Sequence, residues 1–126
     1  MTSVLQGLSD KDGDAVNITS PGSGVRITDE ETEKTVETIT INTFLQQKGL
    51  KKIDFIKMDI EGAEIPALIG AKETIKRFKP KRAISAYHKW DDLFTISKLI
   101  HGTRDDYSYY LDCTTGFGGE AILYCN

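Results

Sequence analysis

The chain has 126 residues, the length of one domain with a sizeable core. Hydrophobic residues make up 39% and charged residues 28%, a globular rather than a disordered composition. With 19 acids against 16 bases the formal charge is −3, which argues against a dedicated nucleic-acid binder. No apolar run reaches the length of a membrane span. The first ten residues carry neither a basic nor an apolar signal region, so a cytoplasmic protein without a secretory leader is expected. Two cysteines, Cys113 and Cys125, exclude a disulfide scaffold and a four-cysteine zinc site, and both are expected to be reduced and buried.

In chain order, Asp10 to Gly13 is a turn signal, and Ala15–Ile18 alternates as a strand. Ser20 to Gly24 reads as a loop before a short strand, Val25–Ile27. Thr35–Ile41 is a further strand, rich in Thr, Val and Ile. Asn42 is placed to cap a short helix through Gln47, closed by Gly49. Ile53–Asp59 is a strand with apolar Ile53, Phe55, Ile56 and Met58. A break at Ile60 to Gly62 leads into a helix over Ala63–Phe78, with Ile65, Leu68, Ile69, Ile75 and Phe78 on one face. Pro66 belongs in its first turn, Gly70 weakens its middle and Pro80 ends it. The basic residues between Lys72 and Arg82 read as a solvated helix face. Arg82–Tyr87 is a buried strand. Asp91 or Asp92 caps a helix carrying Leu93, Phe94, Ile96, Leu99 and Ile100, stopped by Gly102. Tyr107–Cys113 and Glu120–Cys125 close the chain as a hairpin whose loop holds Gly116, Gly118 and Gly119. Strands alternating with helices predict an α/β domain, with a largely parallel sheet and an antiparallel end.

Two clusters carry possible chemistry. In Lys57-Met-Asp59-Ile-Glu61-Gly-Ala-Glu64, Asp59 falls at the carboxyl end of a strand, where open α/β sheets bind ligands. Acids on the strand end and on the turn are not explained by helix capping, so Asp59 and Glu61 are the functional candidates. Glu64 is explained by the macrodipole of the helix it opens. In Tyr87-His88-Lys89-Trp90-Asp91-Asp92, parallel neighbours would place His88 near Asp59, a pair able to act as a general base. The glycines around Gly24 and Gly118 precede strands, not helices, and do not form a phosphate loop.

The run Ile53-Asp-Phe-Ile-Lys-Met-Asp-Ile-Glu-Gly-Ala-Glu64, with Ala67-Leu-Ile-Gly-Ala71, resembles the signature of the FkbM family of methyltransferases. The similarity continues through Arg82-Ala-Ile-Ser-Ala-Tyr-His-Lys89, Asp92-Leu93, Tyr107-Ser-Tyr-Tyr-Leu111 and Ala121-Ile-Leu-Tyr124. Leu8-Ser-Asp10 with Gly13 is similar to the family's turn after its third strand. The resemblance implies a Rossmann-like sheet and an S-adenosylmethionine-dependent O-methyltransferase. Its acceptor would be a hydroxyl of a sugar, free or in a glycan, or of a secondary metabolite; no residue is assigned as a metal ligand, and no nucleic-acid or membrane partner is expected. By position it puts Asp59 and Glu61 at the methyl-transfer cleft, with His88 beside it. Leu8 and Ser9, with Asp59, would contact the cofactor. Asp59 or His88 would take the acceptor proton, and Glu61 would orient the acceptor. Where the family has an Asp-Asp pair, this chain has Asn42-Thr43.

The family's first strand, its Gly-rich turn and the acidic end of its second strand do not precede these residues. Residues 1–126 therefore read as a single partial domain, the carboxyl-terminal half of a methyltransferase, expected to self-associate or to pair with an amino-terminal half. Two other readings stand beside this one. A non-catalytic remnant would act as an interaction module. A carboxylate-metal enzyme would use Asp59, Glu61 and Glu64, with or without His88.

Overall fold

Alternating β-branched residues organise the first third of the chain into a sheet of its own. The computed structural model describes residues 3–20, 24–113 and 119–126. Strands β1 (Gly7–Leu8), β2 (Ala15–Thr19), β3 (Arg26–Thr28) and β4 (Thr35–Ile39) pair in the order β1-β4-β2-β3. The turn before β2 closes as expected, with Gly13 at φ 81 and its N–H donating to Thr38 O at 2.9 Å. Asp12 in that turn accepts from Thr40 N at 2.6 Å and from Thr43 Oγ1 at 2.8 Å, tying the turn to the start of α1 (Ile41–Gln47).

The cap of α1 is Thr40, whose Oγ1 accepts from Thr43 N at 3.0 Å, and not Asn42. Asn42 lies within the first turn of α1 instead. Its Oδ1 accepts from Thr74 N at 2.9 Å and from Thr74 Oγ1 at 2.7 Å, so it serves a later helix.

The second sheet contains β5 (Phe55–Met58), β6 (Lys81–Ser85), β7 (Tyr109–Cys113) and β8 (Ala121–Cys125), in the order β5-β6-β8-β7. β5 and β6 are parallel, and β8 runs antiparallel to both β6 and β7. The closing hairpin is thus as expected, while Gly116 and Gly118 of its loop lie outside the described residues. The largely parallel sheet is not found. Among the described residues only β1–β4 and β5–β6 pair parallel, because the early strands fold back on one another. The architecture is mixed α/β with two small mixed sheets.

The crossover from β5 to β6 is two helices, α2 (Glu64–Ile69) and α3 (Lys72–Phe78), where one was expected. The break falls at Gly70, where a Cβ would lie 2.2 Å from Ser9 O. Only a bare backbone fits against the first sheet there, and Gly70 O accepts from Asn42 N at 3.1 Å. Together with α4 (Asp92–Thr103), these helices cover one face of the second sheet. Ile56, Met58, Ile84, Leu123 and Cys125 meet Ala67, Leu68, Ile75, Ile96 and Ile100 in that core. Each large aliphatic buried there contributes about 1.5–3 kcal/mol. On the other face Phe55, Tyr110 and Tyr124 stay exposed. No helix among the described residues is long and apolar enough to cross a membrane.

Three expectations on single residues are corrected. The basic face is solvated at Lys76 and Arg77, but Arg82 is 1% exposed and its guanidinium lies 4.0 Å from the centre of the Tyr107 ring. Strand alternation sends Arg82 inward with Ile84. Both cysteines are free, and Cys125 is buried, but Cys113 is exposed at the far end of the hairpin. Phe94, expected on the apolar face of its helix, is exposed as well.

Candidate active site

Past Met58 the chain leaves the sheet at Asp59 and reverses through two consecutive left-handed residues, Glu61 at φ 56 and Gly62 at φ 96. Glycine takes that conformation freely, whereas glutamate takes it at a cost of about 1 kcal/mol or more. The reversal sets Glu64 at the first position of α2, 1% exposed, with its Oε1 accepting from Ile60 N at 3.0 Å. The turn is therefore closed by its own downstream carboxylate.

Register brings the second cluster alongside. Met58 pairs with Ile84 in the parallel β5–β6 ladder, so the segments after the two strands emerge side by side. His88 Nε2 lies 3.7 Å from Asp59 Oδ1 and 3.6 Å from Glu61 Oε2. On the other side of the ring, Nδ1 lies 3.2 Å from Glu64 Oε1. Tyr87 Oη donates to Asp59 Oδ1 at 3.2 Å, and its ring centroid is 4.3 Å from that of His88. Burial pushes the Tyr87 phenol up, and the Asp59 carboxylate adds to the shift, so the phenol is held as a neutral donor. The loop itself is fixed by Asp92, buried, whose Oδ2 accepts from Lys89 N at 2.7 Å. Asp91 occupies the cap position of α4 without capping it through its side chain.

Three carboxylates thus surround one imidazole. Their mutual repulsion is offset when that imidazole carries a second proton. Both ring nitrogens of His88 and Glu64 Oε2 are buried and make no directed hydrogen bond among the described residues. Buried polar atoms in that condition are uncommon and set the cluster apart from the rest of the core.

Two cavities adjoin the cluster. One, of about 450 Å³, is lined by Leu8, Ser9, Arg26, Glu61, Gly62 and Lys89 among others. The other, of about 580 Å³, is walled by apolar residues including Leu8, Ile53, Phe55, Ile60 and Ala63 along the outer edge of β5. Gly24 closes against the Glu61 carboxylate, where a Cβ would lie 2.6 Å from Oε1.

The structure therefore gathers Asp59, Glu61 and His88 into one cluster and puts Leu8 and Ser9 on the wall of a cavity that Glu61 shares. Asp59 lines neither cavity and meets the cluster through His88 and Tyr87. Sequence reasoning assigned Glu64 to the helix start and gave Tyr87 no role, whereas the structure sets both against the cluster. The spacing Asp59, Glu61, Glu64 was the available signal, but an acid opening a helix is so common that it hid the contact with His88. The carboxylate-metal reading lacks support in the geometry: among the described residues no group of three or more His, Cys, Asp or Glu side chains is arranged to hold a metal ion. Asn42 and Thr43, where the family has its acidic pair, hold α3 and Asp12 in place.

Comparison with known proteins converges on one family. The family model for the Methyltransferase FkbM domain matches residues 4–109, which include every residue of the cluster. The solved structure of methyltransferase FkbM from Methylobacillus flagellatus KT is similar, with 37% identity and a TM-score of 0.66 over 73% of this chain. This chain covers 24% of that one, about a quarter of its length. No curated protein matches the sequence. The match over residues 4–109 places the chain in the FkbM methyltransferase domain family.

Proposed function

We propose that this chain carries the acceptor side of an S-adenosylmethionine-dependent O-methyltransferase acting on a hydroxyl of a sugar or secondary metabolite. The single observation behind the proposal is the placement of His88 Nε2 within 3.7 Å of two carboxylates, Asp59 and Glu61, just past the ends of adjacent parallel strands. On this reading the second sheet is the carboxyl-terminal part of a Rossmann-like domain, and elements outside these residues hold the methionine carboxylate and the ribose of the cofactor.

The residues present suit the rest of such a cofactor. Leu8, Ile60 and Ala63 offer an apolar wall to an adenine ring, and Glu61 offers a carboxylate to a cation. When bound, S-adenosylmethionine supplies an electrophilic methyl group. The protein's part is alignment and proton removal. Glu61 orients the acceptor hydroxyl, and close alignment accounts for much of the acceleration. Asp59 or His88 accepts the hydroxyl proton, since an alcohol is a weak nucleophile while it keeps that proton. Tyr87 holds Asp59 in place from behind.

Calorimetric titration of S-adenosylhomocysteine into a longer chain that joins this domain to the elements holding the rest of the cofactor tests the proposal. Saturable binding is expected there, and Asp59→Asn in that longer chain is expected to lower methyl transfer by about 10²-fold or more. Unchanged transfer would remove Asp59 from the mechanism. A second reading, a non-catalytic interaction module, is favoured by one feature: β5 is an outer strand flanked by the larger apolar cavity, a place for another chain to pair. A folded longer chain that still binds no S-adenosylhomocysteine but associates through β5 would decide for it.

A further inference from the structure

We infer that Glu64 is a positioning residue for His88: its buried carboxylate favours a proton on Nδ1 of the imidazole and leaves Nε2 unprotonated, able to act as the proton acceptor. The two faces of the ring meet different surroundings. Nδ1 is 3.2 Å from Glu64 Oε1, and the Glu64 side chain is 1% exposed. Nε2 is 3.6–3.7 Å from Glu61 and Asp59, whose side chains are each 42% exposed. Charge interactions are stronger at shorter range and away from water. A bare Nδ1 lone pair facing Glu64 is repelled where solvent screens least, whereas an N–H there is attracted. When the ring carries one proton, that proton belongs on Nδ1.

Helix capping does not account for Glu64. An acid that merely favours a helix start stays in water, and α2 is only 6 residues long. Glu64 instead is buried with Oε2 unpartnered, a costly arrangement, while Oε1 accepts from Ile60 N and lies 3.2 Å from Nδ1 in a charge contact rather than a directed hydrogen bond. The Ile60 contact fixes the carboxylate, and the charge of the carboxylate selects the tautomer.

The use made of Nε2 rests on the methyltransferase reading above. S-adenosylmethionine would supply the methyl group, its sulfur keeping the carbon–sulfur pair, and the acceptor's hydroxyl proton would pass to Nε2. The imidazolium so formed lies among Glu64, Asp59 and Glu61, which stabilise its charge. Asp59 and Glu61 then act on the cation rather than as the base.

The test needs no activity. Long-range ¹⁵N–¹H correlation spectra of the ¹⁵N-labelled chain report which ring nitrogen carries the proton, and His101→Gln assigns the two histidines. At a pH where the ring holds one proton, the Nδ1–H form of His88 is expected to exceed the other by about tenfold or more. Glu64→Leu is expected to abolish that preference, and Glu64→Gln, nearly isosteric, to weaken it while amide spectra report an intact fold. A His88 with its proton on Nε2, or one whose tautomer ignores Glu64→Gln in a folded chain, overturns the assignment. The wild-type spectrum decides even if Glu64→Leu does not fold. Failure of S-adenosylhomocysteine to bind would leave the tautomer result standing, so the two ideas fail separately.

Discussion

The hydroxyl of Tyr87 and the carboxylate of Asp59 meet at 3.2 Å across the carboxyl ends of two parallel strands. The contact joins residues 28 positions apart and aims Asp59 toward His88. Tyr87→Phe removes the donor and leaves the ring. Melting is expected to change by about 1 kcal/mol or less, because the carboxylate is partly exposed and water replaces the phenol. On the methyltransferase reading, transfer by a longer chain that carries this domain is expected to fall several-fold more than stability alone explains. Parallel thermal melts and rate measurements on the two proteins check the separation.

Gly70 and Gly102 are both helix-associated glycines, and alanine should affect them in opposite ways. At Gly70 the new methyl would lie 2.2 Å from Ser9 O, a backbone atom that cannot step aside. A loss of about 1–3 kcal/mol or more is expected. At Gly102, within α4, the added methyl meets nothing within 4 Å. A gain of about 0.5 kcal/mol is expected, since alanine has less unfolded freedom to lose. Urea midpoints of the two variants give the signs.

Acid should loosen the protein through two aspartates. Hydrogen bonds from Thr40 N and Thr43 Oγ1 hold Asp12 below the ordinary value of 3.8. The Arg104 guanidinium, bonded twice at 2.7 Å, holds Asp106 well below it. Both bind protons less readily folded than unfolded. Their stabilisation is therefore complete above the unfolded value and is lost as pH falls below it and through the folded values. Denaturant midpoints should decline below about pH 4. Asp12→Asn should flatten part of that decline.

Arg82 is a buried cation beside the Cys125 thiol, and its three guanidinium nitrogens have no oxygen or nitrogen acceptor among the described residues. Its stacking on Tyr107 offsets part of the desolvation. A well-packed apolar replacement loses no ion pair, so Arg82→Met should be neutral within about 1 kcal/mol, or stabilising. Arg82→Ala should cost more, through the cavity it leaves. Calorimetric melts of the two variants rank them.

Legibility in the sequence followed the range of the forces involved. The strand to Met58, the turn at Glu61 and Gly62 and the neighbouring Arg82 strand were readable, because local alternation and turn chemistry decide them. Their parallel pairing then predicted that His88 would meet Asp59. The separation of the first sheet was not readable, since it depends on β4 returning to pair with β1 and β2. Nor was the break at Gly70, where the decisive atom belongs to Ser9, 61 residues earlier. Thr40 and Asn42 exchanged roles for the same reason: Asn42 answers to Thr74 on another helix. Glu64 was hidden by a local explanation that was sufficient by itself, and only the fold revealed its burial against His88.

The two halves of the cluster hang from strands of unequal standing. His88 follows β6, which is held on both sides, by β5 and by β8. Asp59, Glu61 and Glu64 follow β5, which has one neighbour in its sheet among the described residues. Opening of an outer strand requires less free energy than opening of an inner one, so amides of β5 should exchange with solvent sooner than those of β6. When β5 loosens, the carboxylates depart from a ring that stays where it was. Anything that lines the free edge of β5 would therefore slow that departure, and occupancy at the rim of the sheet would set how long acid and base remain together.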